Sequence, residues 1–180
     1  MKFFRSYLLL VFLIPLFSFS KLEKLRESAK ENRYNLEEEN IRMNGEWFMY
    51  VDDAYKESKA TGKPIMANFT GSDWCGWCIR LKNEVFSKKE FSEWAKENVV
   101  LLELDFPRSK VLPDELKQQN GSLQQFFGVS GYPTIWLFNM EFDQSTNQFN
   151  IERLGKTGYI AGGVKNWTSE TQKIIANAKK

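Results

Sequence analysis

Ile65-Met66-Ala67-Asn68-Phe69-Thr70-Gly71-Ser72-Asp73-Trp74-Cys75-Gly76-Trp77-Cys78 joins a short apolar run to a turn and then to two cysteines three positions apart. Residues 65–69 suit a buried strand, closed by Thr70-Gly71-Ser72. A helix should begin directly afterwards, with Ser72 or Asp73 as its cap and Cys78, Leu81 and Val85 on its inner face at steps of three and four. The cysteine pair is therefore expected at a helix start. A thiolate, not a thiol, attacks a disulfide, and a second thiol is needed to release the product. At a helix N-terminus the thiolate meets unpaired N–H groups and the positive end of the dipole, worth about 0.3–1 kcal/mol. Cys75 suits the attacking role, and Cys78, one turn later and facing inward, suits the releasing one.

Outward from this stretch, Trp47 to Val51 reads as a short first strand and Asp52 to Thr61 as a helix with acids in its first turn, Gly62 as its stop and Pro64 beyond. Ser87 and Glu90 have capping-box spacing for a helix with Phe91, Trp94 and Ala95 on its inner face. Residues 99–105 read as a central strand, apolar on both faces except at Glu103, and Pro107 ends it. Within the polar stretch from Arg108 to Gly121, Pro113 opens a short helix and Asn120-Gly121 marks a turn; Ser122 to Phe127 is a second helical piece stopped by Gly128. Pro133 cannot donate to a sheet ladder, so it stands at or just before the start of the strand Thr134 to Phe138. A long turn over residues 139–150, a returning strand from Ile151 to Leu154 and a final helix from Asn166 to Ala178 complete the order.

The chain has 180 residues, 42% of them hydrophobic and 27% charged, enough for one domain with a real core. It contains no histidine, which excludes Ser-His and Cys-His nucleophile pairs and most ordinary zinc and copper sites. Residues 1–20 read as an export signal, with Lys2 and Arg5 ahead of an apolar run and a small-x-small ending at Ser18-Phe19-Ser20. That run is shorter than the roughly 20 residues that span a bilayer, so no permanent membrane span is expected. Removal of the leader takes the formal charge from +2 to zero, which leaves no basic footprint for nucleic acid or an anionic membrane surface. Residues 21–46 are dense in charge, with Leu22, Leu25, Ala29 and Leu36 as a thin apolar stripe, and read as a helical arm. The remaining domain is residues 47–180, and the protein is expected to be periplasmic or secreted, where disulfides are permitted.

The strand–helix order, with Cys-x-x-Cys after the second strand, resembles thioredoxin. The likeness rests on Phe69, on Trp74-Cys75-Gly76-Trp77-Cys78, on Leu104-Asp105 closing the next strand, and on Gly131-Tyr132-Pro133-Thr134 before the fourth. Lys63-Pro64-Ile65-Met66, Phe69-Thr70-Gly71 and Val85-Phe86 look like exported thioredoxin-like proteins of bacterial envelopes. The resemblance implies an α/β thioredoxin fold: a central mixed sheet flanked by helices, here with an N-terminal helical arm. It implies a nucleophilic first cysteine, a resolving second one and a cis proline facing them, with the backbone at Tyr132 pairing to an extended substrate. Without the resemblance, Pro133 reads as a strand starter in trans, since only about 5–6% of X-Pro bonds are cis. Trp74, Gly76, Trp77, Tyr132 and Pro133 are thus the expected substrate-binding residues.

Two departures stand out. Thioredoxin's buried aspartate is matched by Asn68, which cannot take a proton, leaving Glu103 either as the carboxyl that moves protons to and from Cys78 or as a residue that points to an edge. The dipeptide between the cysteines is Gly76-Trp77, not Gly-Pro, so the direction of electron flow is open. No cofactor is expected. The expected partners are proteins bearing disulfides or thiols and a redox partner that recharges the pair. A zinc site would need two further ligands, and a purely structural bridge closing so short a loop would stabilise only weakly. A redox-silent binding module using the aromatic rim is the rival of a different class.

Overall fold

The computed structural model describes residues 21, 23–31, 33, 43, 44 and 46–178. The expected export signal at 1–20 and much of the expected charged arm lie outside the described residues. Residues 21, 23–31 and 33 are helical and exposed (α1), and belong to a unit separate from the one that starts near residue 40.

The second unit runs β1 (Met43–Asn44), β2 (Trp47–Phe48), α2 (Val51–Thr61), β3 (Ile65–Thr70), α3 (Gly76–Leu81), α4 (Lys89–Asn98), β4 (Val100–Asp105), α5 (Asp114–Phe127), β5 (Thr134–Asp143), β6 (Gln148–Thr157) and α6 (Gly163–Ala178). Its sheet has the order β1-β2-β4-β3-β5-β6. β3 lies in the middle, parallel to β4 and antiparallel to β5, so the sheet is mixed. All six residues of β3 are buried. Alternation along it divides the core in two. Ile65, Ala67 and Phe69 join Ala54 of α2 and Phe127 of α5 on one face. Met66 joins Leu81, Phe91, Trp167 and Ile175 on the other, under α3, α4 and α6.

Several local expectations change once tertiary contacts are present. Met43–Asn44 is a strand, not part of a helical arm, and it pairs with a β2 of only two residues, because Val51 already belongs to α2. Gly62 does stop α2, in the left-handed conformation at φ 68°. The capping box at Ser87 does not form. α3 runs directly into one wide π turn, Lys82–Phe86, closed by Ser87 N–H to the Lys82 carbonyl at 2.9 Å, and α4 begins one residue later, after Lys88.

Asn120-Gly121 is not a turn but the middle of α5, a single helix of 14 residues. Asn120 is buried there and its amide donates to the Asp105 carbonyl at 2.9 Å, a tertiary bond that outweighs its turn preference. The expected long turn after Asn139 is instead the far half of a hairpin whose two strands have ten residues each. Its polar residues continue the ladder through the opposed Phe142–Phe149 pair, whose rings lie 5.1 Å apart, and through Asn139 to Glu152 at 2.9 Å. The final helix starts at Gly163, and Trp167, fully buried, is its main anchor.

Two glycines give opposite expectations for the same added methyl. At Gly155 a Cβ would lie 2.6 Å from Ile174 Cγ2, a methyl on a β-branched side chain that is stiff at χ1 and cannot swing away, so α6 must lift from β6. Gly155→Ala should cost about 1–3 kcal/mol. At Gly121 no atom lies within 4 Å of such a Cβ. Gly121→Ala, inside a helix, should stabilise by about 0.5–1 kcal/mol. Urea midpoints should therefore move in opposite directions, and equal shifts of one sign would contradict the packing of α6 on β6.

Candidate active site

β3 ends at Thr70, between Asp105 of β4 and the start of β5, where Thr134 pairs with Phe69. The chain leaving β3 and the Tyr132–Pro133 peptide entering β5 therefore meet at one end of the sheet. Cys75 and Cys78 are joined in a disulfide, with Cα atoms 5.2 Å apart. The helix cap is neither Ser72 nor Asp73. Cys75 itself occupies the N-cap position of α3, with extended backbone, and its Sγ accepts the Cys78 N–H at 3.2 Å.

Ser72 and Asp73 are turned instead toward the segment after β4. Ser72 donates its N–H and hydroxyl to the Asp105 carboxylate at 2.9 and 2.6 Å. The Asp73 carboxylate accepts the N–H groups of Arg108 and Ser109, the shorter contact at 2.6 Å, and these bonds hold its pKa below the ordinary carboxylate value. Trp74 donates its indole N–H to the Phe106 carbonyl at 2.7 Å and meets the Tyr132 ring edge-on at 5.7 Å. A Cβ at Gly71 would sit 2.5 Å from this indole, which is why the turn after β3 carries glycine.

The expected contrast in burial between the two sulfurs is absent: Cys75 is 6% exposed and Cys78 5%. What separates them is direction. The Cys75 sulfur receives a backbone N–H, whereas Cys78 lines a cavity of about 200 Å³ together with Asn68, Thr70, Ser72, Lys82 and Glu103. Asn68 is buried, and its Oδ1 has no hydrogen-bond partner. Glu103 stands opposite Asn68 in the β3–β4 ladder and is half-buried, one residue past Leu102, where pairing with β2 stops.

On the outer side, Gly76 faces open space and Trp77 is 55% exposed. A cluster that the linear sequence did not reveal braces Trp77 from below. The Tyr159 ring lies 5.1 Å from it, and the Arg80 guanidinium sits 5.5 Å over Trp77 and 5.2 Å over Tyr159. Tyr159 donates its hydroxyl to Glu84 at 2.7 Å, and Arg80 Nε does the same at 2.7 Å. These two bonds lower the Glu84 pKa, and donation to Glu84 raises that of Tyr159. The peptide bond before Pro133 is cis, Pro133 is half-buried, and the Tyr132 hydroxyl accepts from Gln124 at 2.6 Å. Burial pushes the Tyr132 pKa up.

Residues 51–143 match the model of a thioredoxin-like domain. The chain is 31% identical over 132 residues to the disulfide bond reductase DsbH of Chlamydia pneumoniae, an alignment covering 73% of this chain and 74% of that protein. It is 27% identical over 116 residues to the thioredoxin-related protein DsbJ of the same organism, covering 64% of this chain and 32% of that protein. Among solved structures, a DsbH oxidoreductase superposes with a TM-score of 0.62 at 29% identity, over 72% of this chain and 83% of that one. A thioredoxin from Thermus thermophilus superposes with a TM-score of 0.50 at 15% identity, over 73% and 88%, a likeness of fold. With these matches laid on a Cys-x-x-Cys pair at the head of α3, the chain belongs to the thioredoxin-like family and is a thiol–disulfide oxidoreductase.

Proposed function

We propose that the protein is an exported reductase of protein disulfides in which Cys75 attacks and Cys78 resolves. The observation that carries this reading is the Cys78 N–H directed at Cys75 Sγ. A donor aimed at one sulfur favours the thiolate there, and the oxygen and amide groups around Cys78 suit a thiol that waits. In the reduced protein the Cys75 thiolate attacks a substrate disulfide, forming the mixed disulfide and expelling one substrate sulfur as a thiolate that takes up a proton. Cys78 then loses its proton and attacks Cys75 Sγ, which expels the second substrate sulfur. The products are a substrate dithiol and the Cys75–Cys78 disulfide, so two electrons have passed to the substrate. A separate redox partner must return them.

The name of the 31% identical relative, a disulfide bond reductase, supports reduction over isomerisation as the direction. The leader at 1–20 supports a periplasmic or secreted location, and among the described residues no helix is long and apolar enough to cross a membrane. Substrate is bound along Trp74, Gly76 and Trp77 on one side and the Tyr132–Pro133 backbone on the other. Glu103 is assigned as the group that accepts the Cys78 proton, because the two side chains share a cavity whose walls carry polar atoms.

Cys78→Ser should accumulate mixed disulfides through Cys75, and Cys75→Ser should capture none; non-reducing gels and mass spectrometry read both. If neither captures a partner and the wild type fails to reduce a model protein disulfide, the chain is a binding module and the reading falls. Glu103→Gln should slow release of the second substrate thiol about tenfold or more, while the first, mixed-disulfide-forming step keeps its rate. Rapid-quench kinetics across pH separates the two steps. An unchanged release rate and pH profile would remove Glu103 from the mechanism.

A further inference from the structure

The residues just before Cys75 tie the active site to the segment that follows β4, and that segment carries a cation. Asp105, Phe106, Arg108 and Ser109 are each bonded to Ser72, Asp73 or Trp74 through the contacts described above. The Arg108 guanidinium lies 3.9 Å from the centre of the Trp74 ring, the residue adjacent to Cys75. Arg108 is exposed. Among the described residues no carboxylate lies within ion-pair distance of its side chain. The nearest acid in sequence, Asp73, is occupied by main-chain N–H groups, Arg108's own among them. On the other side of the cysteines the corresponding cation, Arg80, is paired with Glu84 at 2.7 Å. The rim of the site thus carries one neutralised arginine and one that is not.

A guanidinium lying on an aromatic face keeps its N–H fork in its own plane and directed outward, the geometry that takes a carboxylate through two parallel bonds. The stack also orders the side chain in advance, which reduces the entropy lost on binding. We propose that Arg108 is a specificity-determining residue that receives the side-chain carboxylate of an aspartate or glutamate flanking the substrate's disulfide. The partner is a polypeptide with acidic residues beside its cysteines. This rests on the reading of Cys75 as the attacking sulfur, because Trp74 places the guanidinium beside that residue.

The test uses two peptide disulfides identical except for glutamate or glutamine next to the cysteine, with kcat/KM measured for the full chain and for Arg108→Gln. The wild type should prefer the glutamate peptide by about fivefold, the factor given by an exposed charge pair of about 1 kcal/mol. Arg108→Gln should bring the ratio close to one, and about 0.5 M salt should do the same to the wild type. A wild-type ratio of one, or a ratio unaffected by the substitution, overturns the proposal. Oxidised glutathione, which carries carboxylates of its own, is the third substrate. If only its turnover depends on Arg108, the cation reads a small thiol and not a protein, and the proposal also fails. Turnover of both peptides by the wild type establishes the exchange chemistry independently of their ratio, so failure of the preference leaves the cysteine mechanism standing.

Discussion

β3 is hydrogen-bonded on both edges and covered on both faces, so the chain that leaves it has one direction in which to go. Everything at the site follows from that exit. Gly71 lets the Trp74 indole fold back over the turn, Ser72 fastens it to Asp105, and Cys75 arrives at the head of α3 with its sulfur facing the Cys78 N–H. A loosely held strand would leave this geometry to chance. One ladder bonded on both sides sets it to within the length of a hydrogen bond.

The two faces of the sheet divide the work. The α2 and α5 side is apolar where β3 meets it, and its buried cluster of Ile65, Phe69, Leu102, Phe127 and Phe138 holds the ladder in register. The α3, α4 and α6 side is apolar near Met66 and Leu101, then turns polar toward the cysteines, where Asn68 and Glu103 face each other across β3 and β4. A polar pair at that level costs packing. From that level Glu103 lines the cavity behind the resolving sulfur.

The rim is built from contacts far apart in the chain. Tyr159 braces Trp77 through Glu84 and Arg80, and the segment after β4 braces Trp74 through its main chain. Both tryptophans are therefore held from beneath, Trp77 with its outer face free and Trp74 with an arginine laid on it. Such fixed aromatic surfaces present an ordered platform to an incoming chain at low entropic cost.

Sequence alone sufficed for the cysteine pair at a helix start, the two-sided burial of β3, the left-handed stop at Gly62 and the odd placement of Glu103. Each depends on local spacing or on the chemistry of one residue type. It failed where a distant partner outweighed a local preference: Asn120 was drawn into α5 by the Asp105 carbonyl, the polar residues after Asn139 into a ladder by their cross-strand partners, and Ser72 and Asp73 away from capping by the end of β4. The cap on α3 passed to a cysteine, and no propensity scale would choose it. Nor did spacing reveal Tyr159 or Arg108, 82 and 34 positions from their tryptophan partners, because ring stacking and main-chain bonds between separate elements leave no periodic trace in the chain.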